Sequence, residues 1–192
     1  MGPPASRGLL ESVNMNTLLI STMVLFQMAS SHAPAGATNA AGGLTWTAPK
    51  EWSVAPSASS MRVVTYKVPA AAGGAEGGEV AVFYFGPGQG GSTQANVDRW
   101  IAQFQAEKGS AGPGKPIAIK AGTIPVTIVT TEGTYSSGMP GGAMTPKPGW
   151  ALRGGIAEGP QGPVFFKMVG PKKTVLAVTP AFDAFLKALK KG

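Results

Sequence analysis

Residues 78–107, GEVAVFYFGPGQGGSTQANVDRWIAQFQAE, constrain the fold more than any other stretch. Val80 to Phe85 is a continuous apolar run rich in β-branched and aromatic residues. Side chains alternate across a strand, so Val80, Val82 and Tyr84 share one face and Ala81, Phe83 and Phe85 the other. A strand apolar on both faces needs cover on both. Gly86-Pro87-Gly88 stops it, because proline offers no N–H to a ladder and glycine accepts positive φ. Ser92 or Thr93 can cap a following helix by accepting a bond from an early free N–H. Val97, Trp100, Ile101 and Phe104 then recur at i, i+3, i+4 and i+7 and form one apolar stripe. The expected helix lies on the sheet that contains the preceding strand and ends at Gly109.

The same logic extends along the chain. Met61 to Val68 alternates, with Arg62, Val64, Tyr66 and Val68 on one face and Met61, Val63 and Thr65 on the other. The short Ala/Gly loop to Gly78 cannot hold a crossover helix, so an antiparallel hairpin with the apolar strand is expected. Leu44 to Trp52 reads as two short extended pieces around Pro49. Ile117 to Lys120 and Thr123 to Thr131 supply further strands, and Gly133-Thr134-Tyr135 can continue the sheet. Ser136 to Gly149 reads as a Gly/Pro/Met loop. Trp150 to Glu158 and Pro163 to Val169 form a second hairpin, turned at Gly159 to Gly162. A helix starts at Pro171 or Lys172 and runs to about Val178. Thr179-Pro180 is expected to cap and restart one, with Pro180 at the first helical position. Phe182, Phe185, Leu186 and Leu189 repeat the helical stripe. Two sided helices and apolar strands between them predict an α+β domain, an antiparallel β-sheet with helices packed on it.

The N-terminal segment is different in kind. Thr17 to Ala29 is apolar and uncharged, and Ala35-Gly36-Ala37 has the small-residue pattern of a cleavage site. The apolar run is shorter than the roughly 20 residues that span a bilayer. Residues 1–37 therefore read as a signal peptide or N-terminal apolar segment, with an uncleaved anchor and a core helix as alternatives. Arg7 is the only base ahead of it, opposed by Glu11, and Met15 is a second candidate start. Cleavage can follow Ala33 or Ala37. Residues 38–43 read as a flexible linker and residues 44–192 as the folded domain. The expected location is periplasmic or extracellular.

Composition narrows the chemistry. The sequence has no cysteine and one histidine, His32, which lies in the leader-like segment. Disulfides, thiol nucleophiles, Ser-His-Asp catalysis and the usual zinc sites are thereby removed from residues 38–192. No G-x-S-x-G or S-x-x-K occurs. The carboxylates suggest no adjacent acid–base pair, although a pair assembled from distant positions is compatible with the sequence. The net charge of +7 is spread along the chain. Lys172 and Lys173 near the start of the last helix, and Lys187, Lys190 and Lys191 at its end, read as a solvated face. Weak attraction to an anionic membrane surface is the sharper alternative. Nucleic-acid binding is not expected.

Gly86 to Gly91 fits G-x-G-x-x-G between a strand and a helix, the spacing of a dinucleotide turn. The preceding strand is one arm of a hairpin, however, and Ser92 stands where a P-loop needs lysine. A tight connection explains the glycines, and no cofactor or metal is expected. A small-anion or nucleotide-binding role for the Gly86–Ser92 turn is the alternative. The residues assigned to contact a partner or anion are Gly88, Gln89, Gly90, Gly91, Ser92 and Arg99. Asn96, Arg99 and Gln103 flank the apolar stripe. They are expected to bond to backbone groups of neighbouring loops and hold the helix in place, rather than to face a ligand.

The pattern Trp46…Pro49…Trp52, Met61-Arg62, Glu79 with Phe83-Tyr84-Phe85-Gly86, Gln89-Gly90-Gly91, Asn96, Arg99-Trp100, Gln103-Phe104, Gly133-Thr134-Tyr135, Phe165-Phe166-Lys167 and Gly170-Pro171 resembles an uncharacterised family of exported bacterial proteins. The resemblance covers Leu44 to Leu189. That family is similar in fold to PsbP, an extrinsic photosystem II protein, and to a nuclear-import factor that binds the GTPase Ran. The resemblance implies an α/β/α sandwich and a non-catalytic accessory domain that binds a protein partner. It carries over no functional residue, and fold alone licenses no inference of manganese, calcium or Ran binding.

Overall fold

The computed structural model describes residues 36, 38–56, 59, 61–136 and 145–192. Thirteen elements follow in order: β1 (Thr38–Ala41), β2 (Leu44–Thr47), β3 (Ser53–Ala55), β4 (Arg62–Val68), β5 (Gly78–Phe83), α1 (Thr93–Ile101), β6 (Phe104–Gln105), β7 (Ile117–Ala121), β8 (Ile124–Tyr135), β9 (Lys147–Gly159), β10 (Gly162–Pro171), α2 (Lys172–Lys187) and β11 (Lys190–Lys191). An eight-stranded sheet has the order β3-β4-β5-β10-β9-β8-β6, with β7 also pairing β8. Every pairing among the described strands is antiparallel. Both expected hairpins form, β4–β5 and β9–β10. The domain is α+β, an antiparallel sheet with two helices packed on it.

The alternation of β10 shows how the sheet is covered. Val164, Phe166 and Met168 join a core with Val80, Val82, Phe182, Phe185 and Leu186. Phe165 and Val169 join a second core with Val97, Trp100, Leu152 and Ile156. Thus α2 lies on one face and α1 on the other. Gly154 and Gly155, adjacent on β9, make room for both. An added Cβ would meet the Trp100 ring at Gly154 and Leu186 at Gly155. Phe182, Phe185 and Leu186 are buried on α2, as their spacing predicts, and Leu189 is buried just past the helix end. Arg153 ties the α2 face together, bonding Asp183 through Nε and Nη2 at 2.6 Å each and Thr130 Oγ1 at 3.0 Å.

Several local expectations are corrected. Residues 38–43 are not a linker: β1 pairs with β2, which also pairs with β11, in a three-stranded sheet turned at Gly42 and Gly43. The turn is possible because both glycines adopt positive φ, 61° and 72°. Helix α1 ends at Ile101, and Phe104 is in β6 opposite Tyr135, with ring centroids 4.9 Å apart. Pairing to β8 replaces another helical turn. Pro180 restarts nothing, because α2 runs through it. Val175 on one side of the proline and Phe182 and Phe185 on the other are buried in one core, which holds the axis continuous. The neighbouring Thr179 hydroxyl donates to Val175 O at 2.8 Å, while Pro180 itself faces solvent. Lys190 and Lys191 belong to β11 rather than to the last helix. β9 begins at Lys147, inside the loop expected over 136–149, and residues 137–144 of that loop lie outside the described residues. The leader-like segment lies outside them too, apart from Gly36.

Candidate functional site

The correction with the largest consequence is in β4. A bulge between Arg62 and Val64 shifts the register, so Arg62 lies opposite Phe83 while Val64 lies opposite Val82. Arg62 therefore leaves the face of Val64, Tyr66 and Val68, where simple alternation places it, and points to the α1 face. Bulges re-aim side chains in this way. There Arg62 Nη1 bonds Glu79 Oε1 at 2.7 Å and its guanidinium lies 5.4 Å from the Phe83 ring centre.

Helix α1 is too short to cover the whole of its face. The uncovered part, over β4, β5, β10 and the start of β9, is a groove of about 680 Å³. Ala81, Phe83 and Val169 give it an apolar floor, and Tyr135 and Trp150 form a wall. Those two rings are stacked, with centroids 5.7 Å apart and planes at 2°. Four cations, Arg62, Lys67, Lys147 and Lys167, line it with two carboxylates, Glu76 and Glu79. Lys147 Nζ pairs with Glu76 at 3.3 Å and lies 4.0 Å from the Trp150 ring centre. This size, with apolar and aromatic surface set beside six charged side chains, suits a site for a ligand that is partly apolar and partly charged.

Lys167 is the central group. Its cross-strand neighbours are Ala81 and Gly154, both small. Its ammonium donates to Gln103 Oε1 and to the Tyr135 hydroxyl, the latter at 3.3 Å. Both acceptors are neutral, and the lysine makes no ion pair among the described residues. Burial, and secondarily the Arg62 charge, bring its pKa down to about 8, against a smaller opposing effect of Glu79. The folded protein thus holds fewer protons than the unfolded chain between about pH 8 and 10.5, and stability gained from this group rises with pH across that window. Lys167→Met is expected to remove that rise, on the order of 2 kcal/mol, and to leave stability at pH 7 unchanged or higher. Urea unfolding of both proteins from pH 7 to 10 checks this. Parallel pH profiles would refute it.

The residues assigned from sequence to a partner or anion lie elsewhere. None of Gly88, Gln89, Gly90, Gly91, Ser92 and Arg99 lines the groove. Ser92 caps α1, its Oγ accepting from Ala95 N at 3.2 Å. Asn96 is buried and donates to Gly90 O and Ser92 O, and Arg99 donates to Asn96 Oδ1. Gly86, Gly88, Gly90 and Gly91 all have positive φ, and a Cβ at Gly90 would lie 2.9 Å from the Phe165 ring. Turn geometry therefore accounts for the glycine spacing, and β5 is paired antiparallel on both edges. Asn96 holds its loop as expected, whereas Arg99 bonds the Asn96 side chain and Gln103 accepts from Lys167.

Lys167 and the Arg62–Glu79 pair are not among the residues assigned to a site from sequence. One signal was present: in Val164-Phe165-Phe166-Lys167-Met168-Val169, a single charge interrupts an apolar strand. Such a charge in a central strand needs a reason.

A smaller cavity contains Glu107, Glu132 and Lys172. Glu107 accepts from Thr134 Oγ1 and Gly149 N, and these bonds hold its pKa below the ordinary glutamate value. Glu132 accepts from Lys172 Nζ and Ala111 N, with the same consequence. Both carboxylates are thus stabilised as anions by bonds within the protein. They pin the 107–111 loop. Among the described residues, no cluster of three or more His, Cys, Asp or Glu is placed to hold a metal ion, and no helix is long and apolar enough to cross a membrane. Compared with known proteins, the chain matches no family model and no curated protein at a significant level.

Proposed function

We propose that this chain is an exported, non-catalytic binding domain whose partner is a protein, and that the partner docks on the groove above Lys167. The observation that carries this reading is a cation held on the floor of an open groove, among the described residues, by neutral acceptors alone. Burying an ammonium without a carboxylate costs stability, and such costs are concentrated at working sites. An anionic group arriving with the partner would relieve it. Tyr135, Trp150 and Phe83 add the aromatic surface from which protein interfaces draw much of their energy. A sheet with a helix on each face agrees with the PsbP-like resemblance, under which the domain is an accessory module. Export rests on the leader-like sequence before residue 38.

Photo-crosslinking in the native host tests the reading. A photoreactive residue replacing Lys67, on the groove rim, should give a discrete protein adduct. The same residue replacing Lys120, on β7 outside the groove lining, should not. Lys167→Glu should abolish the adduct. Identical labelling from both positions, or an adduct indifferent to Lys167→Glu, would overturn it.

A further inference from the structure

The groove's own chemistry specifies what it can hold. An ammonium has three donors. In Lys167 two are taken, by Gln103 and Tyr135, which among the described residues leaves one for a ligand. The other strong cations are already matched: Arg62 by Glu79 and Lys147 by Glu76. The surplus positive charge is therefore on Lys167, with Lys67 at the rim. Lys67 lies directly opposite Glu79 across the β4–β5 ladder, so part of its field is offset.

This set of donors discriminates between anions. A phosphate monoester carries nearly two charges and is bound by guanidinium forks, clustered cations or helix N-terminal amides. Here the one guanidinium in the lining is engaged by a carboxylate, and the capped start of α1 is not in the lining. A dianion would also meet Glu79 beside Arg62. A carboxylate has one charge, which one spare ammonium donor suits.

The surface around Lys167 then defines the rest of the ligand. On one side β9 contributes Gly154, but the Trp100 ring occupies the space above it. On the other side Ala81 leaves an open apolar floor that continues to Val169 and Phe83. The Tyr135–Trp150 pair stands as the facing wall. The open volume beside the ammonium is lined by this apolar and aromatic surface together with the paired charges Arg62–Glu79 and Lys147–Glu76.

We propose that the groove recognises a carboxylate carried next to an apolar, ring-sized group of a partner protein, with the carboxylate on Lys167 and the apolar group on the Ala81–Val169 floor. This rests on the binding role proposed above and names the chemistry of the contact. A chain terminus ending in an aromatic residue presents that combination.

The test uses N-acetylphenylalanine as the probe, with its uncharged amide and phenyl phosphate as comparators, titrated into the isotopically labelled full-length protein. The carboxylate is expected to bind saturably in the millimolar range, as befits one ion pair and one buried ring. Its shifts should fall on Ala81, Trp150 and Lys167. The amide and phenyl phosphate should each bind at least tenfold more weakly. Lys167→Met should weaken the carboxylate at least tenfold while leaving the amide unchanged, and Lys67→Gln should weaken it two- to threefold. Arg99→Ala should have no effect. Equal binding of acid and amide, tighter binding of the phosphate ester, or shifts centred on Gly88 to Ser92 would each overturn the proposal. No binding by the carboxylate would overturn it too, while a Lys167-dependent crosslink at position 67 would leave the protein-partner reading standing.

Discussion

Gly154→Ala will lower the stability of the domain by about 3 kcal/mol, close to the upper range for overpacking a core. The new Cβ would lie 2.1 Å from Cζ3 and 2.5 Å from Cε3 of Trp100. The ring cannot give way easily. Trp100 is buried, stacks edge-on to Phe165 at 6.4 Å between centroids, and stands on α1 over a full layer of apolar side chains. Relief requires α1 to rise or the indole to leave its rotamer. Gly155→Ala is the internal control. Its Cβ would meet Leu186 Cδ1 at 2.5 Å, the end of a flexible side chain, so a smaller loss of about 1 kcal/mol is expected. Urea unfolding followed by tryptophan fluorescence ranks the two. A Gly154→Ala protein within 0.5 kcal/mol of the parent would show that α1 is not seated as described. Trp100→Leu in the same chain should recover part of the loss, because it removes the ring that clashes. If α1 is displaced, Gln103 moves from Lys167 and the carboxylate probe should bind differently as well.

Phe185→Ala is expected to cost about 3–5 kcal/mol, the usual range for deleting a buried phenyl ring. Its ring centre lies 5.4 Å from that of Trp52, 5.5 Å from Phe166 and 6.3 Å from Phe182, and 6.5 Å from Tyr66. One ring thus links α2 to β4, to β10 and to the segment before β3. Its loss would leave a cavity bordered by other rings, which are rigid and collapse poorly. Against a total stability of about 5–15 kcal/mol for an ordinary domain, this substitution alone can bring the protein near its midpoint at 37 °C. Phe185→Leu should recover more than half of the loss by filling most of the space. Tryptophan fluorescence, to which Trp52 packed on the ring contributes, follows the unfolding. A cost below 1 kcal/mol for Phe185→Ala would mean that α2 is not the principal cover of this face. The groove lies across the sheet from Phe185, so residual folded protein should retain Lys167-dependent probe binding.

The two stripes illustrate what local sequence can and cannot specify. Phe182, Phe185 and Leu186 are buried together on α2 as their spacing requires, with Leu189 in the same core past the helix end, but the break expected at Pro180 is overridden. The missing N–H falls on the solvent side, where losing one backbone bond is cheaper than dividing the buried stripe. In the first helix, Val97 and Trp100 are buried as spaced, whereas Phe104 leaves the helix for β6. A residue at i+7 fits either a helical stripe or a strand edge. Only the presence of β8 beside it decides between them.

The candidate site was less legible for a related reason. Glycine spacing and the polar row Asn96, Arg99 and Gln103 were visible in the sequence; the glycines and Asn96, braced by Arg99, build the turn, whereas Gln103 lies past α1 and bonds Lys167. The groove depends on three things that no window of sequence contains. A bulge in β4 turns Arg62 to the α1 face, a short α1 leaves part of that face bare, and Lys167 finds its acceptors on Gln103 and Tyr135, 64 and 32 residues away.

Periodicity and turn chemistry alone determined the class of fold, the two hairpins, and the helical faces that are buried, because those follow from side-chain geometry within a few residues. The removal of cysteine and histidine chemistry from residues 38–192 followed from composition. Strand order, the bulge, the incorporation of residues 38–43 into a second sheet, and the gathering of four cations around an aromatic wall were decided by tertiary structure. Their free energy comes from contacts between distant segments, and such contacts leave no periodic trace in the chain.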